Sequence, residues 1–102
     1  MTTATITNEK IKVDLNVKPP VNYNVIYMND DVTTTDFVIE SLVLVFNFSE
    51  SAANEVTQKI HTEGSAIVAT LSYEVAEQKG VEVTMLARSA GFPLMVRLDP
   101  VA

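Results

Sequence analysis

The chain has 102 residues, which is enough for one domain with a modest core. Its 7 Lys and Arg residues against 13 Asp and Glu residues give a net charge of −6, the wrong sign for a protein that neutralises nucleic-acid phosphates. The absence of cysteine excludes a disulfide framework and a thiolate zinc site, and no apolar run approaches the roughly 20 residues needed to cross a bilayer.

The first 18 residues alternate small polar residues with isolated aliphatic ones, and Pro19-Pro20 then stops any helix from continuing. Because large apolar side chains are scarce there, we predict a flexible N-terminal extension over residues 1–18 and one domain over residues 19–102. The segment lacks the basic and apolar regions of a secretory signal. We therefore expect a soluble protein that is not exported by that route.

The first strand is predicted over Tyr23–Met28, with Val25 and Tyr27 on one face and Ile26 and Met28 on the other. The polar triplet Asn29-Asp30-Asp31 follows it. Thr33 or Thr34 can cap the next helix, and Thr33 with Asp36 makes a weak capping-box pattern. Helical spacing of the apolar residues carries this helix to about Asn47. Those residues are Phe37, Val38, Leu42, Val45 and Phe46.

A second helix is predicted from the N-cap Ser49 to the terminator Gly64. Thr57, Ile60 and His61 are spaced i, i+3 and i+4, so they share one patch of its surface. The stretch Ser65–Leu71 contains the short continuous apolar run Ala66-Ile67-Val68-Ala69, which predicts a central strand covered on both faces.

Ser72 is the expected N-cap of a third helix, Gly91 ends it, and Leu94–Leu98 reads as the last strand. Gly80 weakens the middle of this helix and suggests close packing there. The apolar stripe of the helix comprises Val75, Ala76, Val83, Leu86, Ala87 and Ala90. The order β-α-α-β-α-β predicts an α+β fold, a small three-stranded antiparallel sheet packed against three helices.

Catalysis finds little support in these residues. Asp30 and Asp31 are adjacent, and adjacent side chains diverge, so they form no facing acid–base pair. The chain has a single His and none of the common hydrolase or phosphate-binding motifs, so we predict no enzyme activity, no metal and no cofactor.

Asn29, Asp30 and a neutral His61 can all accept hydrogen bonds. A free α-amino group, which presents three donors when protonated, is the complementary ligand. If the patch of the second helix faces these acceptors, the site would read the first residue of a polypeptide.

Six short motifs, in this order and without gaps, make residues 19 to about 99 resemble the ClpS adaptor family of bacteria and plastids. They are Pro19-Pro20, Tyr23-x-Val25-Ile26, Asn29-Asp30-Asp31-x-Thr33, Phe37-Val38-Ile39, Ile60-His61-x-x-Gly64-x-Ala66 and Glu74-Val75-Ala76-Glu77-x-Lys79. The resemblance implies an adaptor that binds proteins with a bulky hydrophobic N-terminal residue. It would deliver them to a Clp AAA+ unfoldase of the ClpA or ClpC type, for degradation by ClpP. A cytoplasmic monomer is implied, or a stromal one for a plastid form, with no nucleic-acid or membrane partner.

The resemblance also implies roles for individual residues. Asn29, Asp30 and His61 would bind the α-amino group, and Thr33 the first peptide unit. Glu74 and Lys79 match positions that contact the N-domain of the unfoldase, and the N-terminal extension matches the arm engaged during delivery. The full set of predicted substrate-binding residues is Asn29, Asp30, Asp31, Thr33, Thr35, Val38, Thr57, Ile60, His61 and Leu94.

Two positions depart from the family pattern, because Thr35 and Thr57 stand where the best-known members carry methionine. This puts the preferred N-terminal side chain in question, and we expect Leu to bind at least as well as Phe, Tyr or Trp. Two other interpretations stay open. One is a non-catalytic interaction module such as a ribosomal-stalk-like C-terminal domain, in which Asn29-Asp30-Asp31 forms only a turn and a cap. The other is a metal-dependent hydrolase that uses Asp30, Asp31 and His61.

Overall fold

The computed structural model describes residues 21–101, so the predicted extension of residues 1–18 lies outside the described part of the chain. The element order confirms the predicted β-α-α-β-α-β sequence and the α+β class. The strands are β1 (Asn22–Met28), β2 (Ser65–Ser72) and β3 (Met95–Pro100), and the helices are α1 (Thr35–Phe46), α2 (Glu50–Glu63) and α3 (Tyr73–Ser89).

The three strands form one antiparallel sheet in the order β2-β1-β3. β1 is therefore the central strand, and the prediction that β2 is central and covered on both faces is wrong. Burial alternates along β2, with Ala66 and Val68 buried and Ile67 54% exposed, as expected of an edge strand with one covered face. A continuous apolar run does not reveal where a strand sits in the sheet order.

One hydrophobic core lies between the sheet and the helices. Val25 and Tyr27 of β1 are fully buried in it, together with Leu42 of α1, Ala53 of α2 and Val83 of α3. Ile26 is also buried, but it is not part of this cluster, which agrees with its predicted place on the opposite face of β1. Its cross-strand partners there are Ile67 and Arg97.

Local capping chemistry sets the helix ends. The side chain of Thr34, not that of Thr33, accepts the hydrogen bond from the Phe37 amide, so the Thr33–Asp36 capping box does not form. Ser49 caps α2 through the amide of Ala52, and Gly64 ends that helix at a φ of 91°. This left-handed conformation strongly favours glycine.

In α3 the buried residues are Ala76, Gly80, Val83 and Ala87. Val75 and Leu86, predicted in the apolar stripe, are 40% and 39% exposed. The buried stripe of α3 is therefore narrower than the sequence pattern suggested. A Cβ on Gly80 would lie 3.7 Å from Val96 Cγ1, so the predicted close packing is ordinary van der Waals contact. No helix within residues 21–101 is both long and apolar enough to span a membrane.

Candidate functional site

The site begins where β1 ends. The Asn29 amide donates a 2.9 Å hydrogen bond to the carbonyl of Gly64, the residue that ends α2. Met28 pairs with Ser65 immediately beside this bond. These contacts place the last turn of α2, which carries His61, alongside the polar triplet that leaves β1.

The carboxylate of Asp30 organises the loop between β1 and α1. Its Oδ1 accepts hydrogen bonds from the amides of Val32 (2.8 Å) and Thr33 (2.6 Å), and its Oδ2 accepts one from the Thr33 hydroxyl (2.7 Å). Desolvation raises the pKa of Asp30, but the hydrogen bonds from Thr33 and Val32 and the positive charge of Arg88 together lower it from its ordinary value. Asp30 is therefore held as an anion at the mouth of the site.

Acceptor capacity remains at this mouth. A carboxylate offers about four lone-pair sites, and the loop occupies three of those of Asp30, which leaves a position on Oδ2. The side chains of Asn29 and His61 are exposed, and within residues 21–101 neither makes a hydrogen bond to another residue. The Thr33 hydroxyl donates its proton to Asp30 and keeps only acceptor capacity for a ligand.

The buried wall of the site consists of two aliphatic side chains and one threonine. Val38 of α1 is 6% exposed, and Ile60 and Thr57 of α2 are 3% and 2% exposed. The hydroxyl of Thr57 donates to the Ala53 carbonyl at 2.7 Å, so its proton is not available to a ligand. Thr35 is exposed in the first turn of α1.

A buried hydrogen-bond chain supports the wall from behind. The Ser41 hydroxyl donates to the Val38 carbonyl at 2.8 Å, which leaves Ser41 Oγ to accept from the Tyr27 hydroxyl, also at 2.8 Å. Burial raises the pKa of Tyr27, and the bond to Ser41 partly offsets this, so Tyr27 stays protonated as the donor. These two hydrogen bonds connect α1 to the central strand β1 at the turn of α1 that contains Val38.

A cavity of about 240 Å³ joins these features. Nine of the ten predicted substrate-binding residues line it, namely Asn29, Asp30, Asp31, Thr33, Thr35, Val38, Thr57, Ile60 and His61. Leu94 is not among them; it is 1% exposed and belongs to the same hydrophobic core as Val38 and Ile60, and its assignment to the pocket stays a prediction.

The two predicted partner-binding residues lie on α3, away from this cavity. Glu74 is exposed in the first turn, whereas Lys79 is half-buried and donates from Nζ to the Val45 carbonyl at 2.9 Å. Lys79 thus satisfies one of the free carbonyls at the C-terminal end of α1. A contact with an unfoldase stays a prediction for both.

Sequence reasoning missed two features of the site. The turn in which Asp30 accepts from residues two and three positions ahead could have been inferred, since aspartate often bonds its own backbone in this way. The influence of Arg88 on Asp30 had no local signal, because these residues are 58 positions apart in the chain. Among the described residues, no group of three or more His, Cys, Asp or Glu side chains is arranged to hold a metal ion.

Comparison with known proteins identifies the family of this chain. The family model described as "ATP-dependent Clp protease adaptor protein ClpS" matches residues 18–97. The chain belongs to the ClpS family. The ClpS adapter protein of Vibrio atlanticus is 46% identical over 85 residues, 83% of this chain and 80% of that protein. The ClpS adapter protein of Nautilia profundicola is 41% identical over 95 residues, 93% of this chain and 98% of that protein.

A solved ClpS structure is also similar. Agrobacterium tumefaciens ClpS2 bound to L-phenylalaninamide superposes with a TM-score of 0.79 at 40% identity, covering 81% of this chain and all of that one. The family membership confirms the resemblance read from the sequence motifs, and it makes this protein an adaptor of the ATP-dependent Clp protease.

Proposed function

We propose that this ClpS protein binds polypeptides through a free, bulky hydrophobic N-terminal residue and delivers them to a Clp AAA+ unfoldase of the ClpA or ClpC type, for degradation by ClpP. The observation that carries the proposal is the cavity in which exposed acceptors lie beside buried apolar walls. The protein would act in the cytoplasm, as a monomer and without catalysis of its own.

The acceptors match an α-ammonium group in number and charge. An ammonium has three N–H donors, and the free position of the Asp30 carboxylate, the Asn29 amide oxygen and a neutral His61 nitrogen are three acceptors. The bond to Asp30 is charge-assisted and therefore the strongest of the three. An acetylated N-terminus would lose the charge and two of the donors, so the site would discriminate against it.

The apolar wall matches a hydrophobic first side chain. Val38 and Ile60 supply aliphatic surface, and Thr57 supplies a hydroxyl that is already satisfied by its own helix. The ligand of Agrobacterium tumefaciens ClpS2, L-phenylalaninamide, combines a free α-amino group with an apolar ring, which supports this type of ligand here. In this chain we propose that Leu binds at least as tightly as the aromatic residues, because Thr35 and Thr57 leave the wall short of apolar surface.

The test is a titration of one fluorescent peptide with an N-terminal Leu, free or acetylated, against the wild type, Asp30→Asn and His61→Ala. We expect micromolar or tighter binding of the free peptide, and none of the acetylated one. Loss of a charge-assisted hydrogen bond costs roughly 1.5–3 kcal/mol, so Asp30→Asn should weaken binding about 10- to 150-fold.

The matched control is Asp99→Asn. It removes the same charge from a residue that pairs with Asn24 in the sheet and does not line the cavity. Its affinity should equal that of the wild type. Equal binding of the free and acetylated peptides, or unchanged affinity in both site variants, would show that the cavity does not read N-termini.

A further inference from the structure

A second apolar depression lies on another part of the surface, between α3 and β3. This α3–β3 groove has a volume of about 270 Å³ and is lined chiefly by Val81 and Met85 of α3 and Val96 and Leu98 of β3. Val81 is 52% exposed and Met85 is 66% exposed. Val96 and Leu98, the strand residues of the groove, are half-buried. The groove shares no lining residue with the cavity formed by β1, α1 and α2.

The groove lies where α3 packs on β3, which is an edge strand of the sheet. β3 pairs with β1 along one edge, and within residues 21–101 no strand lies along its other edge. An open strand edge presents unpaired amide and carbonyl groups, and proteins usually cover or blunt such an edge. One more strand beside β3 would pair these groups and lay its inward side chains over Val81 and Met85.

The N-terminal extension contains a segment of the right pattern and length. Residues 11–17 read Ile-Lys-Val-Asp-Leu-Asn-Val, with apolar side chains at 11, 13, 15 and 17 and polar ones between. Strict alternation over 4 to 8 residues is typical of a strand with one buried face. The seven residues compare with the six of β3.

We propose that residues 11–17 dock beside β3 as a fourth strand, with Ile11, Val13, Leu15 and Val17 filling the α3–β3 groove. The chain enters β1 at Asn22, next to the C-terminal end of β3, since Tyr23 pairs with Pro100 and the Val101 amide donates to the Asn22 carbonyl. A segment that must end there runs parallel to β3.

The connection is long enough. Two strand spacings separate β1 from the proposed position, about 9.6 Å at the usual 4.8 Å each. The five steps from Val17 to Asn22 span up to about 17 Å when extended, and Pro19-Pro20 favours an extended path. So short a tether also gives a high effective concentration, which favours the segment of the same chain over that of a second copy.

The first test uses introduced cysteines, which have no native competitor because the chain contains none. The full chain is made as Val13→Cys/Met85→Cys and as Leu15→Cys/Met85→Cys, with Thr3→Cys/Met85→Cys as the control. Under mild oxidation we expect at least one of the first two pairs, but not the control, to form a disulfide within the monomer. A disulfide only between copies, or equal reaction of all three pairs, would overturn the proposal.

The second test leaves the groove unchanged and follows oxidation of its methionine by dilute hydrogen peroxide with mass spectrometry. Met85 and Met95 are similarly exposed in residues 21–101, at 66% and 61%, but Met95 does not line the groove. Docking should make Met85 oxidise several-fold more slowly than Met95. Val13→Asp/Leu15→Asp should abolish this difference, and Thr3→Asp/Thr5→Asp should preserve it. Equal rates in the wild type, or a difference that survives Val13→Asp/Leu15→Asp, would show that the segment does not cover the groove.

Discussion

At the scale of single residues, the Asp30 carboxylate is shared between the protein and the proposed ligand. Three hydrogen bonds from Val32 and Thr33 hold it in place, so its direction is fixed before an amine arrives. Such preorganisation lowers the entropic cost of binding. It also means that replacing Asp30 affects the loop as well as the ligand.

The effect of Asp30 on the loop can be measured without ligand, as its contribution to stability at neutral and at acidic pH. Asn at position 30 cannot accept through both of its terminal atoms, so we expect Asp30→Asn to lower the free energy of unfolding by roughly 1 kcal/mol at pH 7. The pKa of Asp30 is lowered in the folded state, so its contribution is present above the pKa of an unfolded aspartate, about 3.9. It should vanish as the pH falls through the lower folded value. Urea denaturation of both proteins provides the measurement. Equal stabilities at pH 7 would contradict the expectation, and Asp31→Asn is the control.

The specificity prediction concerns Thr35 and Thr57. A thioether against an aromatic ring contributes roughly 0.3–1.5 kcal/mol, so two threonines in place of methionines should cost aromatic ligands more than Leu. Because the Thr57 hydroxyl is satisfied by Ala53, the effect should arise from missing apolar surface rather than from an unpaired polar group. We expect Thr35→Met/Thr57→Met to raise affinity for N-terminal Phe more than for Leu, measured with otherwise identical peptides. A wild type that already prefers Phe several-fold would contradict this.

Much of the site was predictable because its motif residues are close in sequence or share a helix face. The triplet at the end of β1 and the patch Thr57, Ile60 and His61 each follow from local spacing, and the structure brings them to one cavity. Thr35, Val38 and Leu94 were assigned to the pocket by resemblance, and the residues that line the cavity include Thr35 and Val38. The role of Thr33 in holding Asp30 rather than capping α1 depends on loop geometry, which spacing does not determine.

At the scale of elements, helix ends were more predictable than sheet order. Ser49 and Gly64 act through bonds to residues within four positions, so the sequence contains the whole interaction. The position of β2 at the edge depends on the pairing of β1 with both β2 and β3, whose partners lie up to 77 residues apart, as Tyr23 and Pro100 do. An apolar run is compatible with either position when, as at Ile67, one side chain stays exposed.

The connection between β1 and α1 through Tyr27 and Ser41 gives the third prediction. Ser41→Ala leaves the buried Tyr27 hydroxyl without its acceptor, which costs roughly 1–3 kcal/mol. Tyr27→Phe removes the donor itself, while Ser41 keeps its bond to the Val38 carbonyl, so we expect a smaller loss. The double variant should be more stable than the sum of the single losses implies, as a double-mutant cycle in urea would show. Equal and additive losses would contradict the assignment of Tyr27 as donor and Ser41 as acceptor.

At the scale of the whole molecule, the proposed functions are separated in space. The cavity is formed by the end of β1 with α1 and α2, whereas Glu74 and Lys79 and the groove proposed to hold residues 11–17 lie along α3. Substrate recognition and delivery should therefore be separable by mutation. This separation gives the last prediction, which concerns the N-terminal extension.

Deletion of residues 1–17 should leave affinity for an N-terminal Leu peptide unchanged, because all nine residues that line the cavity lie between Asn29 and His61. Degradation of an N-terminal Leu reporter by a reconstituted Clp unfoldase and ClpP should fail, since the extension matches the arm that the resemblance to the ClpS family implies for delivery. Every helix and strand of the structure lies after the deletion, so the variant should fold, and its thermal unfolding is the control. Replacing residues 1–17 with a Gly-Ser segment of equal length tests whether length alone suffices. Full degradation by the deletion variant would assign delivery to the folded domain instead.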